Sequence, residues 1–212
     1  MKIIYLFFIL FLTSSIKNYS QQFEYGIKIG IVISDIRMSD MPESHVNVDK
    51  PDIWKHDFDS KLGINISAIV GYHLNPKIYL GLEPGYILKG ANFDASESKL
   101  DLHYWNLPVI LKYMISDRMG IYLGPEFSKL INAELNFDGR TIDMDDFYND
   151  IIEISILMGI DYQPVEYLGF GVRYNYGLTK VSQTKWTDEL GNIDSICKEN
   201  NHYILLYATL SI

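Results

Sequence analysis

A single cysteine, Cys197, stands among the 212 residues, so no disulfide can form within the chain. It lies outside the patterned segments described below and reads as an incidental loop thiol, with pairing between molecules as the alternative. Long apolar runs are scarce as well. Only Ile3 to Leu12 is continuously apolar, and its length of about ten residues is roughly half of what a spanning helix needs. Basic clusters are missing: 18 Lys and Arg stand against 27 Asp and Glu, a net charge of -9, which argues against the phosphate contacts of a nucleic-acid partner. No Gly-x-Ser-x-Gly element occurs, and the acidic stretch Asp138-Gly139-Arg140 to Asp146 lacks the Asp-x-Asp-x-Asp-Gly spacing of a calcium loop. No catalytic residue, cofactor or metal is therefore expected.

What the chain has instead is aromatic residues, 14% of the total and led by 16 tyrosines, together with 15 glycines. The first twenty residues read as an export signal: Lys2 is a basic head, the apolar run follows, and Thr13-Ser14-Ser15 leads to the small Ser20 before Gln21. An uncleaved anchor is the alternative, and no cysteine lies near the cleavage point for lipid attachment. The predicted organisation is a signal peptide over 1–20 and one β-domain over 21–212.

Period-2 alternation marks eight candidate strands, Phe23 to Ser34, Lys61 to His73, Ile78 to Lys89, Leu102 to Ile115, Gly120 to about Asn132, Ile152 to Tyr162, Gly169 to Leu178 and His202 to Ile212. Phe170, Val172, Tyr174, Tyr176 and Leu178 alternate with Gly169, Gly171, Arg173, Asn175 and Gly177. Successive side chains point to opposite faces, so one face is bulky and apolar and the other small or polar. The other strands repeat this, apart from the last, whose second face mixes Tyr203, Leu205 and Tyr207 with Thr209. Pro84, Pro108 and Pro125 interrupt the ladder and mark bends or bulges. Short turns at 74–77, 116–119 and 163–167 alternate with long connections at 35–60, 90–101, 133–151 and 180–201.

A soluble barrel of the lipocalin kind would place every bulky face in an interior that eight strands leave only just wide enough for side chains. Glycines 63, 71, 81, 85, 124, 159, 169, 171 and 177 suit that narrow interior better, and the bulky faces suit lipid. The fold class predicted is all-β: an eight-stranded antiparallel transmembrane β-barrel with short periplasmic turns and long extracellular loops.

Three segments carry a family resemblance. Tyr104-Trp105-Asn106-Leu107-Pro108-Val109-Ile110-Leu111-Lys112-Tyr113 resembles the leucine-proline to lysine-tyrosine strand of PorT-type outer-membrane β-barrel domains of Bacteroidetes. Gly124-Pro125-Glu126-Phe127 is similar to the glycine-proline element of that family's next strand, and Arg173-Tyr174-Asn175-Tyr176-Gly177-Leu178 to its arginine-tyrosine to glycine-leucine strand. The resemblance covers about residues 23 to 212 and implies an outer-membrane barrel, without implying an activity. PorT itself is linked to type IX secretion and gliding. The chain departs from many outer-membrane barrels in ending on Ile212 and not on an aromatic residue.

The inner faces carry Lys28, Glu83, Lys89, Lys112, Glu126, Glu153, Asp161 and Arg173. Unpaired buried ions are costly, so the expectation is a salt-bridge network centred on Arg173 with Glu83 and Glu126 that plugs the barrel; a polar track for a proton, ion or small ligand is the alternative. Of the five histidines, His103 lies at the outer end of a strand, His45, His56 and His202 in or beside loops, and His73 at a periplasmic turn. Trp54, Phe58 and Trp186 read as interface anchors or as a partner surface. The expected role is structural or partner-binding in the envelope, with outer-membrane lipid around the barrel and envelope proteins at its loops or turns. A lipid-modifying enzyme with a site near His103, or a passive pore, is the alternative.

Overall fold

The computed structural model describes residues 22–39, 58–93, 98–145, 152–180, 182–187 and 193–211, with side chains described over 22–36, 60–92, 98–145, 152–180 and 200–211. The proposed signal, His45, Trp54, His56, Asp146 and Ile212 lie outside the described residues, as do the side chains of Phe58, Trp186 and Cys197. The described strands are β1 (Phe23–Ser39), β2 (Phe58–Asn75), β3 (Ile78–Leu82), β4 (Gly85–Phe93), β5 (Ser98–Met114), β6 (Met119–Phe137), β7 (Arg140–Asp143), β8 (Ile152–Val165), β9 (Leu168–Gly177), β10 (Ser182–Thr187) and β11 (Ile193–Ser211).

Every pairing is antiparallel, and β1 closes the ring against β11, with Ile27 opposite Leu210 and Ile33 opposite Ile204. The ring has eight staves, because β3 and β4 form one stave broken at Glu83-Pro84 while β7 and β10 pair only with the outer ends of β6 and β11. Proline has no N–H for the ladder. The break is bridged by neighbours: Glu83 N donates to Pro108 O at 3.0 Å, and Ala68 N to Pro84 O at 2.9 Å. The predicted third strand is thus two strands, bent where Pro84 stands.

The bulky faces point out. Ile29 is 59% exposed, Leu62 70% and Trp105 63%, each among large apolar neighbours on the same face. A continuous apolar belt of this extent is the lipid-facing surface of a membrane barrel and would be an aggregation hazard in water. Aromatic rings border it. Phe23, Tyr25, Tyr72, Tyr113, Tyr162 and Tyr167 sit at the turn end, with Phe23 edge-on to Tyr72 at 5.0 Å, and Trp105 and Tyr176 at the other. Trp105 and Tyr113 are eight residues apart on β5, which at ordinary strand rise and tilt gives a belt about 20 Å tall, close to the hydrocarbon band of outer-membrane barrels.

Beyond the belt the alternation changes sense. On β5 and β6 the inward positions become Leu100, Leu102 and Ala133, while Lys99, Asp101, Glu134 and Asn136 point out. With Ile36 and Ala91 the inward residues form a small apolar core above the membrane, as in a soluble sheet. This corrects the loop boundaries drawn from the sequence. Much of 90–101, 133–151 and 180–201 is strand, whose polar outward positions give it the composition of a solvated loop. Asp138 and Gly139, both with positive φ (47° and 73°), make the two-residue turn that joins Phe137 to Arg140.

One close approach holds this upper wall together. Lys61 passes beside Gly90, whose φ is 144° and whose added Cβ would lie 1.9 Å from Leu100 O. Ser34 Oγ accepts from Gly90 N and donates to Gly90 O. The orientation of the staves is testable at Ile29, in the middle of the β1 belt. Ile29→Arg should cost about 2–4 kcal/mol in urea unfolding from lipid vesicles. A loss below about 0.5 kcal/mol, the usual range for a water-exposed surface position, would mean that this face does not meet lipid.

Candidate functional site

The inner face brings the predicted charges into separate layers. At mid-height Arg173 Nη2 meets Glu83 Oε2 at 2.5 Å, and Lys28 Nζ meets Glu83 Oε1 at 2.6 Å. Arg173 also donates from Nε to Tyr122 OH, which is 2.9 Å from Tyr207 OH, and Lys28 Nζ lies 4.1 Å above the Tyr207 ring. Glu83 reaches this layer because the β3–β4 break leaves it opposite Arg173 on the far side of the ring. Two cations share one carboxylate here.

Nearer the long-loop end, Lys89 Nζ meets Glu153 Oε1 at 2.9 Å and lies 3.9 Å from Glu126 Oε1. Tyr203 OH donates to Glu126 Oε2 at 2.6 Å, Ser128 Oγ to Glu126 Oε1, and Asn201 Nδ2 to Glu153 Oε2 and Tyr104 OH. Glu126 therefore belongs to Lys89, Glu153 and Tyr203, where the sequence suggested a place beside Arg173. In this layer two carboxylates share one cation. At the turn end Lys112 pairs with Asp161 at 2.5 Å, and Glu24 is held by Ser211 Oγ at 2.8 Å with His73 at 3.4 Å. At the loop end Lys61 is paired with Asp101.

Tyrosines fill the space between layers, and sequence reasoning missed them. Tyr79, Tyr104, Tyr122, Tyr203 and Tyr207 are all buried on the inner face. Their signal was parity: Tyr79 shares a face with Gly81, Tyr104 with Asn106, and Tyr122 with Gly124. Glycine on neighbouring staves admits the rings. A Cβ on Gly71 would lie 2.0 Å from Tyr79, one on Gly159 2.4 Å from Tyr122, and one on Gly171 2.3 Å from Tyr207. Below the Tyr79, Tyr122 and Tyr207 layer remains a cavity of about 30 Å³, room for roughly two water molecules.

The described histidines are dispersed. His73 is at the turn end, and His202 lies against Tyr176 at 4.6 Å between ring centres. His103 stands on the outer face, with Nδ1 2.6 Å from Tyr86 OH. Among the described residues no three His, Cys, Asp or Glu side chains form a metal-ligand group. Asp143 and Asp145 accept from backbone N–H groups of Asp145 and Ala133.

A closed eight-stave ring with an apolar exterior and a polar, filled interior defines the class, a small outer-membrane β-barrel. A model of the outer membrane protein beta-barrel domain matches residues 19–183, and the chain belongs to that family. The short turns are accordingly periplasmic and the long connections extracellular. Solved structures similar to it include Ail, the attachment invasion locus protein of Yersinia pestis, at 13% identity over 90% of this chain and 99% of that one, with a TM-score of 0.48. OprG of Pseudomonas aeruginosa is 13% identical over 90% and 95% of the two chains, TM-score 0.47, and neisserial surface protein A is 14% identical over 89% and 96%, TM-score 0.46. No curated protein sequence matches it.

The layers predict unequal mutational costs. Glu83→Ala leaves Lys28 and Arg173 buried without their carboxylate and should cost about 3–5 kcal/mol. Glu126→Gln leaves Lys89 with Glu153 and keeps an oxygen for Tyr203, so its cost should be about 1 kcal/mol. Urea titration in detergent, followed by heat-modifiability on gels, ranks the two; equal losses would contradict the assignment of partners.

Proposed function

We propose that this barrel is a closed scaffold, which holds its extracellular extensions and periplasmic turns at the membrane for other envelope components. The filled lumen carries this reading. Arg173, Lys89, Glu126 and Lys28 are at most 2% exposed and tyrosines separate their layers, which supports a closed lumen among the described residues. Such a lumen serves stability. The binding surface is then left to the strands that rise beyond the belt and to the turns.

Within this reading, residues 1–20 act as a cleaved export signal, and the three motif segments point to the PorT-type branch of outer-membrane barrels, with support of secretion as the role. The enzyme alternative rests on His103, whose nearest hydrogen-bonding partner is a tyrosine and not a serine or carboxylate. The purified chain in planar bilayers should give no conductance steps, and mild-detergent extraction should recover it with a second envelope protein. Stable conductance would overturn the closed scaffold. Loss of lipid A modification on deletion, restored by the wild type but not by His103→Ala, would replace it with an enzyme.

A further inference from the structure

The outer face of β4, β5 and β6 at the extracellular end of the belt carries polar and aromatic side chains that take no part in the lumen layers. The ladder sets Tyr86 opposite Trp105, Trp105 opposite Lys129, and Lys129 opposite Ile152, one row across four staves. His103 stands one row higher, opposite Leu88 and Asn132. Neighbouring staves are about 4.8 Å apart, so Tyr86, Trp105, Lys129 and His103 fall within one headgroup-sized patch. Below it come Leu107 and Phe127, part of the belt. The row therefore lies where acyl chains give way to headgroups.

We propose that Tyr86, His103, Trp105 and Lys129 bind the phosphorylated sugar headgroup of an outer-leaflet glycolipid. Each group has a part. Lys129 is exposed and cationic at the height of a phosphate attached next to the acyl chains. The 2.6 Å contact between Tyr86 OH and His103 Nδ1 fixes the direction of the ring, and in the tautomer where Tyr86 donates, Nε2 carries the proton and is a second donor. Trp105, 63% exposed, is a flat surface for a sugar ring and an anchor at the interface. One row further out lie Asp101 and Glu134, opposite each other. They would repel phosphate, but Asp101 is paired with Lys61 and accepts from Asn136, and Glu134 accepts from Asn132. Carboxylates and amides at that height suit sugar hydroxyls. This order, cation and donor beside the acyl boundary and acceptors above, matches a headgroup whose phosphate lies below its sugars. A soluble partner would have to descend to the edge of the hydrocarbon to reach Lys129, whereas a lipid is there already.

Native mass spectrometry of the full chain in detergent, titrated with a bisphosphorylated glycolipid, its dephosphorylated form and phosphatidylglycerol, tests the site. The wild type should bind the bisphosphorylated glycolipid about tenfold more tightly than either of the others, and the double variant Lys129→Gln/His103→Ala should lose that preference. Lys77→Gln, an exposed turn position at the periplasmic end, should keep it. Lys129→Gln alone alters an exposed side chain and should weaken binding about threefold, so it carries the test if the double variant fails to fold. Wild-type affinity in whichever of these variants folds would overturn the proposal, as would equal binding of phosphatidylglycerol and glycolipid by the wild type.

Discussion

Hydrocarbon offers no partner for a peptide N–H or C=O, and the closure of β1 against β11 answers that constraint. An open sheet would leave a row of unpaired groups in lipid, at several kcal/mol each. Closure with eight staves in turn sets a lumen too narrow for a channel and too long to leave empty. Every inner side chain must then pack against others from across the ring. The glycines that touch the Tyr79, Tyr122 and Tyr207 rings follow from this crowding, because a ring can lie flat on a neighbouring stave only where no Cβ stands in its way.

Charge in such a lumen has to be balanced locally and along the axis. The Arg173, Lys28 and Glu83 layer has one cation in excess, and the Lys89, Glu126 and Glu153 layer one carboxylate in excess. The excesses have opposite sign and sit in adjoining parts of the lumen, so each lowers the cost of the other. Hydroxyl and amide donors complete the balance: Tyr203 and Ser128 on Glu126, Asn201 on Glu153. Rings beneath Lys28 and Lys89 add cation–π attraction to cations that are largely removed from solvent. The resulting plug is polar in composition and closely packed, with room for only about two waters toward the turn end.

The boundary between lipid and water divides the barrel into two regimes along the same strands. Within the belt apolar side chains face out; above it they face in, around Leu100, Leu102 and Ala133. The rim where the sense changes collects Trp105, Tyr86, His103 and Lys129, side chains with both an apolar body and a polar tip. β5 and β6 continue past this rim, while β8 and β9 stop near it at Ile152 and Gly177. β1 and β11 also run beyond it, to Ser39 and Ile193, and β10 pairs with β11 above the end of β9, so strands beyond the belt present the surface available to headgroups or partners.

Alternation along each strand determined, from the sequence by itself, which residues face lipid, how many staves the ring has and where its turns fall. A period of two is a property of the backbone, so Ile29 and Arg173 could be assigned to outside and inside without knowing any neighbour. Parity also held the tyrosines, since Tyr79, Tyr104 and Tyr122 share a face with Gly81, Asn106 and Gly124. Partnership was decided only by the tertiary structure. Arg173 and Glu83 are 90 residues apart, and Tyr203 and Glu126 are 77 apart. Which inner residues share a level depends on stagger between staves, on the break at Pro84 and on the extra residue near Ile131 that shifts β6 against His103 and Tyr104. That stagger accumulates around the closed ring, and no local stretch of sequence records it. Hence the sequence placed Glu126 in the lumen, and the fold placed it with Lys89.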